Sequence, residues 1–294
     1  MKYLKPNTLM IFFYLLMQSA LNAGSLDIDY FKHQNIYRFA DNLYNEGDYL
    51  RAAGEFQRYL FAFNSSPPNT DSVFYKIGRC YRFSGHYDKA IEYFQKIVDN
   101  YEQSKLLYHS HYQIGLCYFL MNKFEESTIF LNSYVSAVDQ NDIKLRLNQL
   151  KAINYIQQKE WDNAIHLLNA NKNTDPFTIQ LANLANEGQQ LPRKNKVLAG
   201  LFSTVIPGTG KLYCNRPFDG FQSLFTTAVF GWQTYDGFHE DGMHSVKGWI
   251  FGVIGGIFYL GNIYGSVVAA EIYNVEKEEK HLGKIKVFIN VNLD

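Results

Sequence analysis

The stretch CYRFSGHYDKAIEYFQKIV, residues 80–98, indicates a repeat fold, because its pattern recurs along the chain. A related stretch, LYNEGDYLRAAGEFQRYL, lies at 43–60, and CYFLMNKFEESTIFLNSYV lies at 117–135. The aligned positions hold Gly or Asn, then an aromatic, a small and a large apolar residue: Gly47, Gly85 and Asn122; Tyr49, Tyr87 and Phe124; Ala52, Ala90 and Ser127; Phe56, Phe94 and Leu131. A period of about 37 residues predicts a stack of one repeated supersecondary unit.

The spacing within each unit is helical. Small residues fall where two helices must approach, and large residues recur on one buried face. A fainter fourth copy, NYIQQKEWDNAIHLLNA at 154–170, keeps Trp161, Ala164 and Leu168 in register. Over residues 33–170 this pattern resembles the tetratricopeptide repeat family, whose unit is two antiparallel helices joined by a Gly-containing turn. The resemblance implies an all-α helix-pair solenoid.

The resemblance also implies a concave groove, lined by the first helix of each unit, in which partner proteins or peptides dock. The family's groove positions fall on Gln34, Tyr37, Asp41 and Tyr44 in the first unit, Ser72, Tyr75, Arg79 and Arg82 in the second, and His109, Tyr112, Leu116 and Phe119 in the third. From these, the predicted partner-binding residues are Tyr37, Asp41, Tyr44, Tyr75, Arg79, Arg82, His109, Tyr112 and Phe119. Tyrosine and arginine suit a peptide that carries carboxylates. Alternatively, the tyrosines pack between neighbouring helices as part of the core.

The N-terminus predicts export. Two lysines precede the apolar run 9–17, and the small-residue stretch SALNAGS follows, which is the layout of a signal peptide over residues 1–23. The alternative is an uncleaved anchor, although the run is shorter than the about 20 residues of a span. Units slightly longer than usual are also found in envelope tetratricopeptide proteins, so the repeats are expected in the periplasm.

Composition excludes some classes of function. The 28 basic and 28 acidic residues balance, which leaves no electrostatic footprint for nucleic acid. Three scattered cysteines do not form a disulfide framework or a zinc site. Cys80 and Cys117 occupy the same place in consecutive units and are expected to be buried, about 8 to 10 Å apart, too far for a disulfide. No catalytic set, metal site or cofactor site is legible, so the chain is not expected to be an enzyme.

Residues 171–196 read as a linker. Asp175 with Pro176 predicts a helix start, and Gly188 with Pro192 predicts its end. The basic run 193–196 is typical of a solvated or membrane-surface cluster.

Residues 197–275 predict a membrane-associated helical domain. Of three apolar segments, 197–206, 218–235 and 248–270, the third is long enough to cross a bilayer, and the second is expected to pack on it as a transmembrane helical hairpin in the inner membrane. Glycines for close helix packing recur at Gly248, Gly252, Gly256, Gly261 and Gly265. The segment resembles a small glycine-rich membrane domain found behind tetratricopeptide repeats in bacterial envelope proteins, a family with no assigned activity. A buried soluble hairpin is the alternative. The charged tail 276–294 is read as a helix followed by a short strand through Val287, Ile289 and Val291.

Three rival functions rest on single features. The run PGTGK, residues 207–211, is similar to part of the nucleotide-binding phosphate loop of an ATPase, here in a membrane enzyme, but the first Gly and the Ser/Thr positions hold Val205 and Leu212. If the segment is not a phosphate loop, Lys211 and Tyr213 are expected to be anchors at the membrane interface. The loop residues His239, Glu240, Asp241 and His244 could bind a metal, and Gly-rich helices could belong to a transporter or channel subunit. The leading interpretation is a membrane-held envelope scaffold that binds a partner protein.

Overall fold

The computed structural model describes residues 32–63, 67, 69–135, 141–170 and 175–292. The predicted signal peptide lies outside these residues. The regular structure of the described part is entirely helical, which confirms the predicted all-α repeat fold. The chain divides into two compact units, Met1–Asn154 and Tyr155–Asp294.

The helices follow one another in antiparallel pairs. Those described as far as residue 170 are α1 His33–Asn45, α2 Tyr49–Ala62, α3 Thr70–Phe83, α4 Tyr87–Asn100, α5 Leu107–Leu120, α6 Phe124–Val135, α7 Asn141–Gln157 and α8 Trp161–Ala170. Those described beyond it are α9 Pro176–Gln189, α10 Lys196–Val205, α11 Thr209–Tyr213, α12 Pro217–Asp241 and α13 Val246–Asn292, with a short 3-10 helix Gly242–His244 before α13.

The same turn closes the first helix of all four copies. Its central residue is left-handed, with φ of 82° at Gly47, 78° at Gly85, 59° at Asn122 and 63° at Lys159. In each copy the next N–H donates to the carbonyl five residues earlier, as His86 N does to Tyr81 O at 2.8 Å. This pair of features is the Schellman motif, in which Gly is favoured because it has no Cβ. The fourth turn shows that the repeat continues to α8.

Inside two of the pairs, α3–α4 and α5–α6, a glycine on the first helix faces a large residue on the second. A Cβ built on Gly78 would lie 2.7 Å from Cε1 of Phe94, and one built on Gly115 would lie 2.6 Å from Cδ2 of Leu131. Phe94 and Leu131 are fully buried. These aligned positions therefore hold glycine because the two helices pack too closely there for a larger residue.

Helix α9 begins and ends as predicted. Asp175 accepts hydrogen bonds from the backbone N–H and the hydroxyl of Thr178, with Pro176 at the first helical position. Within the second unit, α9 packs on α8, and the ring of Trp161 fills the space that a Cβ on Gly188 would need.

The predicted strand in the tail is wrong, because α13 continues without a break through Asn292. His281, Ile285 and Ile289 are buried at helical spacing, whereas Val287 is exposed. This buried face packs near α9, where His281 Nε2 lies 2.8 Å from the carbonyl oxygen of Leu184. Ile289 is thus the member of the alternating set that lies on this buried face, which repeats at every fourth residue and not at every second.

The PGTGK segment is a packing junction between α10, α12 and α13. Gly208 is left-handed, and a Cβ on it would lie 2.0 Å from the carbonyl oxygen of Gly220. Gly210 approaches α10 so closely that a Cβ would lie 1.9 Å from Ala199 O. Its backbone N–H donates to Ser203 Oγ at 2.9 Å, and that hydroxyl lies 2.7 Å from Ser266 Oγ. The two glycines are explained by these close approaches.

Candidate functional site

The groove residues of α1 are already engaged within the repeats. The ring of Tyr37 packs edge to face on Phe56 at 5.5 Å. Asp41 forms an ion pair with Lys76 of α3, whose ammonium lies 4.9 Å from the centre of the Tyr37 ring. Tyr44 packs on Tyr49 at 5.6 Å. The carboxylate of Asp41 is therefore already paired with a cation within the repeats.

The groove residues of α3 combine one ring and two cations. Tyr75 is half-buried and packs edge to face on Phe94 at 5.5 Å, the same distance as between Tyr37 and Phe56. The guanidinium of Arg79 lies 5.5 Å from the Tyr44 ring, and that of Arg82 lies 4.1 Å from the Phe83 ring. The structure thus places Tyr44 beside Arg79 at the contact of α1 with α3.

The groove residues of α5 are spread along the helix. His109 is exposed near its start, whereas Tyr112 is half-buried against the cluster that contains Leu116 and Leu131. Phe119 is near the end of the helix and packs on Phe124 at 5.6 Å. The link from α5 to α3 is a long contact of 3.5 Å from Gln113 Nε2 to the Tyr75 hydroxyl.

The electrostatics around Tyr75 are cationic. Burial raises the pKa of Tyr75, and the positive charges of Arg79, Arg82 and Arg146 act in the opposite direction. Among the described residues, no carboxylate lies within 4.0 Å of the guanidinium of Arg79 or Arg82. The Nε atoms of both arginines are buried and have no hydrogen-bond partner in the part of the chain that the structure describes. This surface can accept a carboxylate because its two cations are held in place but not paired.

Sequence reasoning missed Arg146 and Lys76. Partial burial lowers the pKa of His109, and the positive charge of Arg146, which lies on α7, lowers it further. No repeat position marks Arg146, because α7 belongs to a copy in which the groove pattern has faded. Lys76 directly follows Tyr75 in the sequence, but its ion pair with Asp41 of the preceding unit is visible only in the structure.

The cysteines are buried thiols. Cys80, Cys117 and Cys214 are all free. Burial raises the pKa of Cys80 and of Cys117 to about 12 each, so both stay protonated near neutral pH. They pack as small apolar residues, and neither provides a nucleophile.

The second unit exposes an extensive apolar surface. One described helix, spanning Val246–Ile289, is long and apolar enough to cross a bilayer. Large side chains exposed on α12 and α13 include Phe218, Phe221, Phe225, Trp232, Tyr235, Val246, Trp249, Val253, Ile257, Leu260 and Tyr264. An apolar surface of this extent is unusual for a soluble monomer and indicates contact with a membrane or a partner.

The predicted packing glycines have different neighbours. Cβ atoms on Gly248 and Gly252 would meet Phe238 and Thr234 of α12 at 2.7 and 3.3 Å. A Cβ on Gly265 would lie 3.4 Å from Cε of Lys211, and positions 256 and 261 face no described atom within 4 Å. Of the five glycines, the two that pack against α12 are therefore Gly248 and Gly252.

The geometry of the described residues does not support a nucleotide site at residues 207–211 or a metal site in the loop that holds His239 and His244. The amide of Gly210 and those after it donate within the protein, so they do not form a phosphate cradle. Within the described ranges no group of three His, Cys, Asp or Glu side chains could hold a metal ion, and this covers His239, Glu240, Asp241 and His244.

Comparison with known proteins agrees with the repeats. No curated protein matches the chain. Residues 72–104, which include most of α3, its left-handed turn and α4, match the model of the family described as the tetratricopeptide repeat. Together with the four equivalent turns, this match identifies a tetratricopeptide helix-pair fold, whose members generally bind protein partners.

Proposed function

We propose that this protein is a non-enzymatic, membrane-held scaffold of the bacterial envelope whose repeats dock an acidic segment of a partner protein. The repeats lie in the periplasm, and the second unit anchors them in the inner membrane. No cofactor and no nucleic acid take part.

The observation that carries the docking proposal is the unpaired state of Arg79 and Arg82. Both side chains are half-buried, and each guanidinium lies against an aromatic ring. Burial without a counter-ion is unfavourable, and a partner carboxylate would remove this cost by accepting two parallel hydrogen bonds. A cation held in this way loses little side-chain entropy on binding.

The neighbouring rings define the kind of segment that fits. Tyr44 and Tyr75 flank Arg79 and offer apolar area together with hydroxyl groups. Arg146 extends the cationic surface toward α7, with the exposed His109 beside it. We therefore expect a segment that alternates acidic side chains with apolar side chains.

The exposed apolar surface of α12 and α13 supports the membrane proposal. Ile257 is 66% exposed and Phe225 is 72% exposed, and such side chains are stabilised by lipid rather than by water. Charged residues lie at both ends of the apolar stretch of α13: Lys196 pairs with Glu271 at 3.0 Å and Arg193 pairs with Glu278 at 2.9 Å at one end, and Lys247 pairs with Asp236 at the other. Two such charged bands fit the two edges of a bilayer, and the N-terminal sequence supports export.

The docking proposal is tested by site-specific photocrosslinking in cells. A photoreactive residue replaces His109, which is exposed on the proposed groove, and a control replaces Glu92, which is exposed on α4. We expect a discrete crosslinked protein from position 109 and none from position 92. Equal products from both positions would contradict the groove assignment.

A further inference from the structure

The second unit contains an open cavity with a mixed polar and apolar lining. It measures about 440 Å³ and lies between α11, α12 and α13. Its polar lining includes Lys211, Ser223, Thr226 and Asn262. None of these residues has a role in the docking of a partner to the repeats.

Asn262 is the unusual member of this lining. The residue is 5% exposed, and among the described residues neither its amide nitrogen nor its amide oxygen has a hydrogen-bond partner. Burying an amide without partners is unfavourable, because it loses its hydrogen bonds to water. This buried side chain is therefore suited to a ligand that both accepts and donates a hydrogen bond.

Lys211 supplies a positive charge to the same cavity. Its ammonium donates to Ser223 Oγ at 2.7 Å, and Ser223 donates in turn to the carbonyl of Asp219 at 2.8 Å. In the described part of the chain, no carboxylate lies within 4.0 Å of the Lys211 ammonium. The serine orients the ammonium but does not neutralise it, so the cavity favours an anion.

The other charged group of the cavity does not cancel this preference. Asp219 lines the cavity, but its carboxylate pairs with Arg216 at 3.1 Å. On the opposite side, Ile257 and Phe258 form an apolar wall that continues onto the exposed surface of α13. A ligand can thus place a polar group at Lys211 and an apolar part along this wall.

We propose that this cavity binds a phosphoglycerol group, with an anionic phosphate oxygen on Lys211 and a hydroxyl paired with Asn262. The amide nitrogen of Asn262 donates to the phosphate, and its oxygen accepts from the glycerol hydroxyl. Such a group occurs as the head of an anionic lipid and as a free soluble phosphate ester. This assignment does not depend on the repeats or on their partner.

The test is a binding titration of the full chain in detergent with four probes: phosphatidylglycerol, phosphatidylcholine, glycerol phosphate and inorganic phosphate. We expect phosphatidylglycerol to bind at least tenfold more tightly than phosphatidylcholine. Equal or tighter binding of glycerol phosphate also supports the site and identifies a soluble source. If no probe binds, or if both lipids bind alike and glycerol phosphate does not bind, the proposal is overturned.

Three variants locate the site. Lys211→Ala and Asn262→Leu should each weaken binding of the preferred probe at least tenfold, while Lys284→Ala, at an exposed lysine outside the cavity, should leave it unchanged. The melting temperature of the ligand-free Asn262→Leu protein should also be measured. It should equal or exceed that of the wild type, because the substitution removes an unpartnered amide. Wild-type affinity in both cavity variants overturns the assignment.

Discussion

Gly78 leaves no room for a Cβ atom, since one built there would lie 2.7 Å from Cε1 of Phe94. The contact joins the first and second helices of the repeat that spans residues 72–104. It shows why a glycine occupies the middle of a helix, where it costs about 1 kcal/mol relative to alanine.

Gly78→Ala should therefore destabilise the repeats by about 1 to 3 kcal/mol, because Phe94 must leave its preferred position. Gly54→Ala is the matched control, since Gly54 is also helical but no described atom beyond its chain neighbours and its own helix backbone lies within 4 Å of its added Cβ. That change should stabilise by about 0.4 to 1 kcal/mol. Chemical denaturation of both variants measures the difference, and a shift of the same sign in both would refute the packing explanation.

The left-handed turns make a separate prediction. Gly85 has φ of 78° and open space around an added Cβ, so Gly85→Ala isolates the backbone cost. We expect a loss of about 1 to 2 kcal/mol in the free energy of unfolding. Asn122→Gly, at the equivalent turn, should instead be neutral or stabilising. Thermal melts that rank the two variants the other way would show that the turns are not equivalent.

The turns of the repeats are easier to predict from sequence than the contacts between them. Gly47, Gly85 and Asn122 mark their turns because few residue types adopt a left-handed backbone, whereas Lys159 gives no such signal. The pairing of Lys76 with Asp41 and the placement of Arg146 depend on neighbouring helices, which a single unit does not encode.

The second unit shows the same limit. The glycine spacing predicts close packing in α13 but not which face meets α12. The cavity at Asn262 brings together residues of three helices, so no local pattern could predict it. The strand prediction for the charged tail is wrong because its alternating apolar residues fit a strand and a helix equally well until the burial of Ile285 is known.

His111 should make the repeats sensitive to mild acid. Its ring is buried against Tyr134 at 3.7 Å, and burial lowers its pKa from the ordinary 6.5 to about 4. The unfolded chain therefore binds a proton first, and stability should fall as the pH decreases from about 6.5 toward 4, by up to about 1.4 kcal/mol per pH unit.

The matching variant is His111→Phe, which retains an aromatic ring beside Tyr134 and removes the titration. Melting temperatures of the full chain between pH 7 and 4.5 should fall less steeply for this variant than for the wild type. Parallel curves would mean that His111 does not control the response.

The membrane proposal predicts a strong dependence on position along α13. Ile257→Arg places a charge on the exposed apolar face, which costs about 2.5 to 3.5 kcal/mol at the centre of a span. Val287 has nearly the same exposure, 67% against 66%, but lies beyond the apolar stretch. Alkaline extraction of membranes should release the Ile257→Arg protein more readily than wild type and leave Val287→Arg unaffected. Wild-type protein in the soluble fraction would disprove membrane anchoring itself.

The packing of Tyr75 on Phe94 makes a truncation at Tyr75 ambiguous, because alanine would remove core contact as well as groove surface. Tyr75→Phe keeps the ring and removes the hydroxyl. Phe94→Ala defines the response of the core, with an expected loss of about 3 to 5 kcal/mol.

The most direct test of the proposed docking site is the yield of the crosslink at position 109 in a protein that carries both Arg79→Glu and Arg82→Glu. Because these two cations have no counter-ion among the described residues, we expect a crosslink reduced at least tenfold, with a melting temperature far closer to wild type than that of Phe94→Ala. Arg58→Glu, on the exposed part of α2, should leave the yield unchanged. An undiminished crosslink in the double variant, or melting as poor as that of Phe94→Ala, would contradict the proposal that these arginines bind the partner.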